Sequence, residues 1–280
     1  MSRILMASDL HHCELVWYDV KTDDRMQRMI KAFNDEYEKE PYDMLLLLGD
    51  YSLDFWICPP FGAFLNRGLC YTMKFMREVV PHLPKVPIYM IPGNHEQYGN
   101  ANWKWITGCD RRMTIPYGDN LFIMLDNFGG NLDPTENSDG TYTPVDVAYV
   151  REQMAKYPNT NVFLFAHDFY ARPGADMETE EFAQLLREEP RIIAMFAGHT
   201  HLSNIINLGE KYGNKCVIYD GAFSYSRDIE KTRWGFRELR FEDGKVTTAY
   251  LTPPSDITLN GQFSHHDGGS QDEMVLIAGK

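Results

Sequence analysis

Residues 44–50 read Met44-Leu45-Leu46-Leu47-Leu48-Gly49-Asp50. Five apolar residues without polar alternation mark a strand covered on both faces. The run closes on a glycine, which lets backbone turn tightly and approach a neighbour, and then on a carboxylate. The same pattern recurs along the chain. Residues 4–7 lead into Asp9-Leu10-His11, residues 88–91 into Gly93-Asn94-His95-Glu96, residues 162–165 into His167, and residues 192–196 into Gly198-His199-Thr200-His201. Residues 121–125 form a further buried run. In open α/β sheets ligands gather at the carboxyl ends of the strands, so these polar residues can converge although they are far apart in sequence.

Helical patterns lie between the runs. In residues 22–40, Met26, Met29, Ile30, Phe33 and Tyr37 share one face and Pro41 ends the helix. Residues 62–80 and 178–189 read as further helices, and another is expected to begin with Pro144 as its first residue. Beyond residue 200 the character changes to strand: 203–208, 215–219, 235–241 and 245–251, with Glu242-Asp243-Gly244 as a hairpin signal. A layered α/β sandwich accounts for this order. The expected domain spans residues 1–254. The pattern fades after Pro253-Pro254, leaving 255–280 as a tail or flap.

With 27 basic and 40 acidic residues the net charge is −13. That opposes a groove for extended nucleic acid and docking on anionic lipid. The five cysteines are scattered without CxxC spacing, no apolar run spans a bilayer, and the first residues do not read as a signal peptide. A cytoplasmic protein without membrane partners is the expectation.

Histidine nitrogens with carboxylate and amide oxygens suit zinc, manganese or iron better than calcium, and the absence of cysteine from the blocks disfavours a structural zinc site. Paired metals roughly 3.5–4 Å apart clamp both oxygens of an in-line phosphoryl displacement.

The ordered blocks Asp-x-His, Gly-Asp, Gly-Asn-His-Glu, His and Gly-His-Thr-His, from Asp9 to His201, resemble the calcineurin-like metallophosphoesterase superfamily. The resemblance implies a four-layer α/β/β/α sandwich with a dinuclear centre. It implies that Asp9, His11, Asp50 and His201 hold one divalent ion, that Asp50, Asn94, His167 and His199 hold the other, and that Asp50 bridges. A hydroxide between the metals would attack phosphorus, and His95, itself no ligand, would protonate the leaving group. Glu96 would orient His95. For His12 an exposed or supporting position is favoured over ligation. His265 and His266 read as solvated tail.

Departures narrow the expectation. The Asp-Arg-Gly of the protein phosphatases is missing, since Asp50 is followed by Tyr51-Ser52, and Leu53 stands where purple acid phosphatases place a tyrosine ligand. What remains resembles compact bacterial-type enzymes acting on small phosphoesters, with a phosphodiesterase as the leading expectation. A monoesterase is the alternative, then a nuclease or a non-catalytic scaffold. Residues 55–61 and 98–117 follow metal-bearing turns, which makes Tyr98, Arg111, Arg112, and likewise Tyr170 and Arg172, candidates for substrate contact.

Overall fold

The computed structural model describes residues 2–58, 63–66, 69–136, 139–170 and 178–279. In chain order the strands are β1 (Ser2–Ala7), β2 (Met44–Leu47), β3 (Ile57–Cys58), β4 (Ala63–Phe64), β5 (Ile88–Met90), β6 (Met113–Tyr117), β7 (Asn120–Met124), β8 (Asn161–Phe165), β9 (Ile192–Ala197), β10 (Ser203–Asn207), β11 (Cys216–Asp220), β12 (Phe236–Glu242), β13 (Lys245–Thr252), β14 (Ser255–Leu259), β15 (Gln262–His266) and β16 (Gly269–Ile277). The helices are α1 (Thr22–Lys39), α2 (Tyr71–Glu78), α3 (Asn100–Thr107), α4 (Val147–Lys156) and α5 (Glu180–Glu188).

Two six-stranded sheets dominate, in the orders β16-β13-β12-β1-β2-β5 and β10-β11-β9-β8-β7-β6. β1, β2 and β5 run parallel, as do β7, β8, β9 and β11; the antiparallel strands lie at the flanks. Alternation along each strand sets the layers. Ile4, Met6, Leu46 and Leu48 meet Phe122, Met124, Phe163, Phe165 and Phe196 between the sheets. The opposite faces carry Leu5, Ala7, Leu45 and Leu47, which pack with Met26, Met29, Ile30 and Phe33 of α1. On the second sheet Leu121, Ile123, Val162 and Leu164 pack with Val150, Met154, Phe182 and Leu186 of α4 and α5. The expected α/β/β/α layering is thus observed, and the near-continuous apolar runs reflect strands buried on both sides.

Local differences have simple causes. α4 begins at Val147 rather than Pro144, because the Asp146 side chain accepts the Tyr149 N–H and caps the helix there. The stretch after His95 holds α3 and β6. The Asp243-Gly244 turn has φ of 49° and 76°, both positive as a type I′ hairpin requires. Beyond Pro254 the chain continues as strand: β14 and β15 form a hairpin, and β16 adds to the edge of the first sheet. Among the described residues no helix is long and apolar enough to cross a membrane.

Candidate metal centre and its pocket

The parallel strands of both sheets deliver their carboxyl-end residues to one place. β1 leads to Asp9 and His11, β2 to Asp50, β5 to Asn94 and His95, β8 to His167, and β9 to His199 and His201. The turns are stitched together: Asp9 N–H donates to Gly49 O (3.1 Å), Leu10 and His11 N–H to Asp50 O (2.8 and 3.0 Å), and Gly198 N–H to His167 O (2.9 Å). Asp9, His11, Asp50, His199 and His201 all have φ between 43° and 65°. Left-handed backbone at non-glycine residues costs on the order of 1–3 kcal/mol each and persists only where the surroundings enforce it.

The side chains then converge. His201 Nε2 lies 3.2 Å from Asp9 Oδ1 and 3.2 Å from His11 Nε2. His167 Nε2 lies 3.2 Å from Asp50 Oδ2 and 3.0 Å from Asn94 Oδ1, which is also 2.9 Å from His199 Nδ1. Three sets are close enough to share an ion: Asp9, His11 and His201; His11, Asp50 and His95; Asp50, His167 and His199.

The donor set fits divalent cations. His201 Nδ1 faces Tyr225 O and His167 Nδ1 faces Leu48 O, each at 2.7 Å. A carbonyl only accepts, so in the neutral rings each Nε2 carries the lone pair and points inward. Asp9 Oδ1 is buried without a hydrogen-bond partner. The electrostatics agree. Burial raises the Asp50 and Asp9 carboxyls, yet the surrounding histidines leave both below the usual range. Burial lowers His167, but the Asp50 and Asp9 charges carry it up to about 10. A field that draws a proton onto a buried imidazole also draws a cation.

His95 belongs to one of these sets and also faces the cavity. Its backbone N–H donates to Asp50 Oδ1 (3.2 Å), and its Nε2 is 3.8 Å from Asp50 Oδ2 and 3.7 Å from Asp139 Oδ1. Burial pulls its imidazole down to about 4, against the Asp50 charge. Together with His11 and His201 it forms the floor of a cavity of about 430 Å³ whose walls, among the described residues, are Leu15, Trp17, Leu53, Trp56, Asp139 and Tyr225.

Close backbone approach explains two glycines. A Cβ on Gly49, whose φ is +101°, would sit 2.6 Å from Gly93 N, and one on Gly93 would overlap the Asp50 carboxylate and lie 2.7 Å from Asp50 N. Gly93→Ala is therefore expected to displace Asp50 and to lower stability by about 1–3 kcal/mol. Thermal unfolding with metal analysis checks this; an unchanged melting temperature and metal content would contradict it.

Several expected contacts are corrected. Glu96 does not face His95: its carboxylate accepts the backbone N–H groups of Asp50 (2.8 Å), Tyr51 (2.9 Å) and Gly93 (2.8 Å), and so holds the turn that presents Asp50. Arg111 is buried, paired to Asp126 (2.6 Å) and donating to Glu96 O and Tyr98 O, so it is structural rather than phosphate-facing. Arg112 lies outside the pocket on Asp146 and Tyr149. Tyr98 donates to Asp54 (2.6 Å) and packs on Phe55 behind the wall. Tyr170 does approach the centre, its ring 5.9 Å from that of His199. Arg172, Pro59, Pro60 and Phe61 lie outside the described residues. His12 is buried, edge-on to Tyr71. Asp139, Asp168, Trp17 and Tyr225 went unmarked by the motifs. Asp168, immediately after His167, is the one that position alone points to: buried, its carboxylate lies 3.7 Å from His199 Nε2.

The geometry can be set beside known proteins. The family model described as calcineurin-like phosphoesterase matches residues 2–203. A protein of Arcobacter nitrofigilis named probable glycerophosphodiester phosphodiesterase GpdQ is 21% identical over 216 residues, 72% of this chain and 76% of its own. Among solved structures, GAP50, titled the anchor in the inner membrane complex of Plasmodium, aligns at a TM-score of 0.56 and 10% identity over 100% of this chain and 90% of its own. The purple acid phosphatase PPD1 of yellow lupin (Lupinus luteus) aligns at a TM-score of 0.52 and 15% identity, over 96% of this chain and 53% of its own. At such identities the two structures share the fold.

Proposed function

The chain belongs to the calcineurin-like phosphoesterase family, a family of metal-dependent phosphoester hydrolases, and on that premise we propose that it hydrolyses a small phosphodiester. In this reading Asp9, His11, Asp50 and His201 hold one divalent cation, Asp50, Asn94, His167 and His199 hold a second, and manganese, iron and zinc all suit the donors. Bound cations would act as Lewis acids on the phosphoryl oxygens and on water.

The protein's own residues supply the rest. Glu96 fixes the Asp50 backbone, and the carbonyls of Leu48 and Tyr225 fix the tautomers of His167 and His201. His95 is neutral in the free site because burial lowers it; an arriving phosphate anion raises its affinity for a proton, which it can then pass to the departing oxygen. The observation that carries the hydrolase reading is this placement of His95 on the cavity floor beside Asp50, which suits diesters and alkyl monoesters alike. An alkoxide leaving group needs such a proton. The name of the Arcobacter relative favours the diester.

The test is turnover of the metal-loaded protein on monoesters, linear diesters and cyclic nucleotides. Diester hydrolysis is expected; hydrolysis confined to monoesters would replace this reading with a monoesterase, and no hydrolysis by metal-loaded protein would leave a scaffold.

Metal loading is also expected to release protons. A ligating imidazole must be neutral, whereas His167, lowered by burial but raised by Asp50 to about 10, holds its proton at pH 7 until a cation displaces it. Calorimetry of manganese or zinc binding in buffers of different ionisation enthalpy measures the release. Binding enthalpy independent of buffer would contradict it.

A further inference from the structure

Four apolar side chains stand over the histidines without belonging to the core. Leu15, Trp17, Trp56 and Tyr225 line the cavity, and none is a member of the three hydrophobic clusters formed by the described residues. They come from three separate stretches: the segment after β1, the segment after β2 and the segment after β11. Tyr225 is 39% exposed and Val16, beside Trp17, is 54% exposed. Side chains of this size normally complete a core or cover a partner.

Their placement is ordered. The Trp17 and Tyr225 rings lie 30° from parallel with centroids 6.5 Å apart. Trp17 is 6.1 Å from the His11 ring and Tyr225 is 4.8 Å from the His201 ring. The Arg25 guanidinium, 4.9 Å from the Trp17 ring, is itself fixed by donating to Phe223 O and His11 O. The Tyr225 carbonyl holds His201. The aromatic wall therefore starts one ring away from the atoms that would meet phosphate and is tied to the same backbone.

We propose that Trp17, Trp56 and Tyr225 form a subsite for the organic part of the substrate, and that this part is a flat aromatic ring. The proposal rests on the phosphodiester reading above and adds the class of ester group. A planar ring exchanges water for ring faces at little polar cost. A polyol against these walls would bury most of its hydroxyls on leucine and tryptophan carbon, with Asp139 and the Tyr225 hydroxyl as polar partners beside the histidine floor. The cavity of about 430 Å³ has room for a phosphate and one such ring, within the about 300–1,000 Å³ of small-ligand sites.

The experiment uses three monoanionic or zwitterionic diesters that share the phosphate: diphenyl phosphate, diethyl phosphate and methyl phosphocholine. Binding to the metal-loaded protein is read by quenching of tryptophan fluorescence and by competition against a turned-over ester. Diphenyl phosphate is expected to bind roughly ten- to a hundredfold more tightly than diethyl phosphate, the scale of one or two ring stackings. Trp17→Leu is expected to collapse that ratio. Because Trp17 also meets Arg25, Trp56→Leu serves as a second variant. Metal content is measured for each.

Equal affinity for diphenyl and diethyl phosphate would overturn the proposal, as would a preference that survives both substitutions. Tighter binding of methyl phosphocholine would overturn it in favour of an organic cation. Diester hydrolysis without a ring preference would remove the subsite and keep the phosphodiesterase. A wall-dependent ring preference without diester hydrolysis would keep the subsite and remove the phosphodiesterase.

Discussion

Asp50→Asn is expected to reduce turnover by about a thousandfold or more, the scale of losing the several kcal/mol that a catalytic cation supplies. Asp50 belongs to two of the three sets close enough to share an ion. Its Oδ2 lies 3.2 Å from His167 Nε2, 3.8 Å from His95 Nε2 and 3.9 Å from His11 Nε2. It is buried, so its charge is little screened. Asparagine keeps the shape and is among the residues that tolerate left-handed backbone, which Asp50 adopts with φ of 57°. The substitution therefore removes charge with little change to the turn. Metal per protein and turnover are measured together. A variant with full activity and both cations would refute the bridging role.

His95→Ala is expected to lower turnover by roughly 10²–10⁴-fold, the usual worth of a positioned proton donor. The loss is larger for alkyl esters than for nitrophenyl esters, because a nitrophenolate departs without help. Metal content is expected to stay. His95 is also close enough to His11 and Asp50 to complete a set of possible ligands, so loss of metal in this variant would make it a ligand. A uniform loss across leaving groups, with metal retained, would make it a binding residue instead.

Much of the centre was legible because each candidate ligand follows a buried parallel strand. Such strands are near-continuous apolar runs, and the residue after the run lies at the carboxyl end of the sheet. Asp9, His11, Asp50, Asn94, His95, His167, His199 and His201 could all be found in this way. Arg111 could not be placed, because its burial depends on Asp126 and on two carbonyls that sequence spacing does not reveal. Glu96 was assigned the wrong neighbour because its partners are backbone N–H groups, which any residue supplies. Trp17 and Tyr225 carry no motif, and only the fold brings them together. The last strands were obscure for another reason. β16 pairs with β13 through two register shifts and is half-exposed along its length, so no period of two survives in its sequence.

The place of β1 in the first sheet governs how the molecule can be assembled. β1 lies between β2 and β12, and Ser2 pairs with Phe241. During synthesis the left flank of β1 stays open until the chain has grown by some 240 residues, although α1 and β2 can dock as soon as they emerge. The match to the family model stops at residue 203, before β12, β13 and β16, which make up half of that sheet. The turn bearing Asp9 and His11 therefore hangs from a strand whose second neighbour arrives last. Contacts this distant slow folding and leave an unpaired edge open to other chains in the meantime.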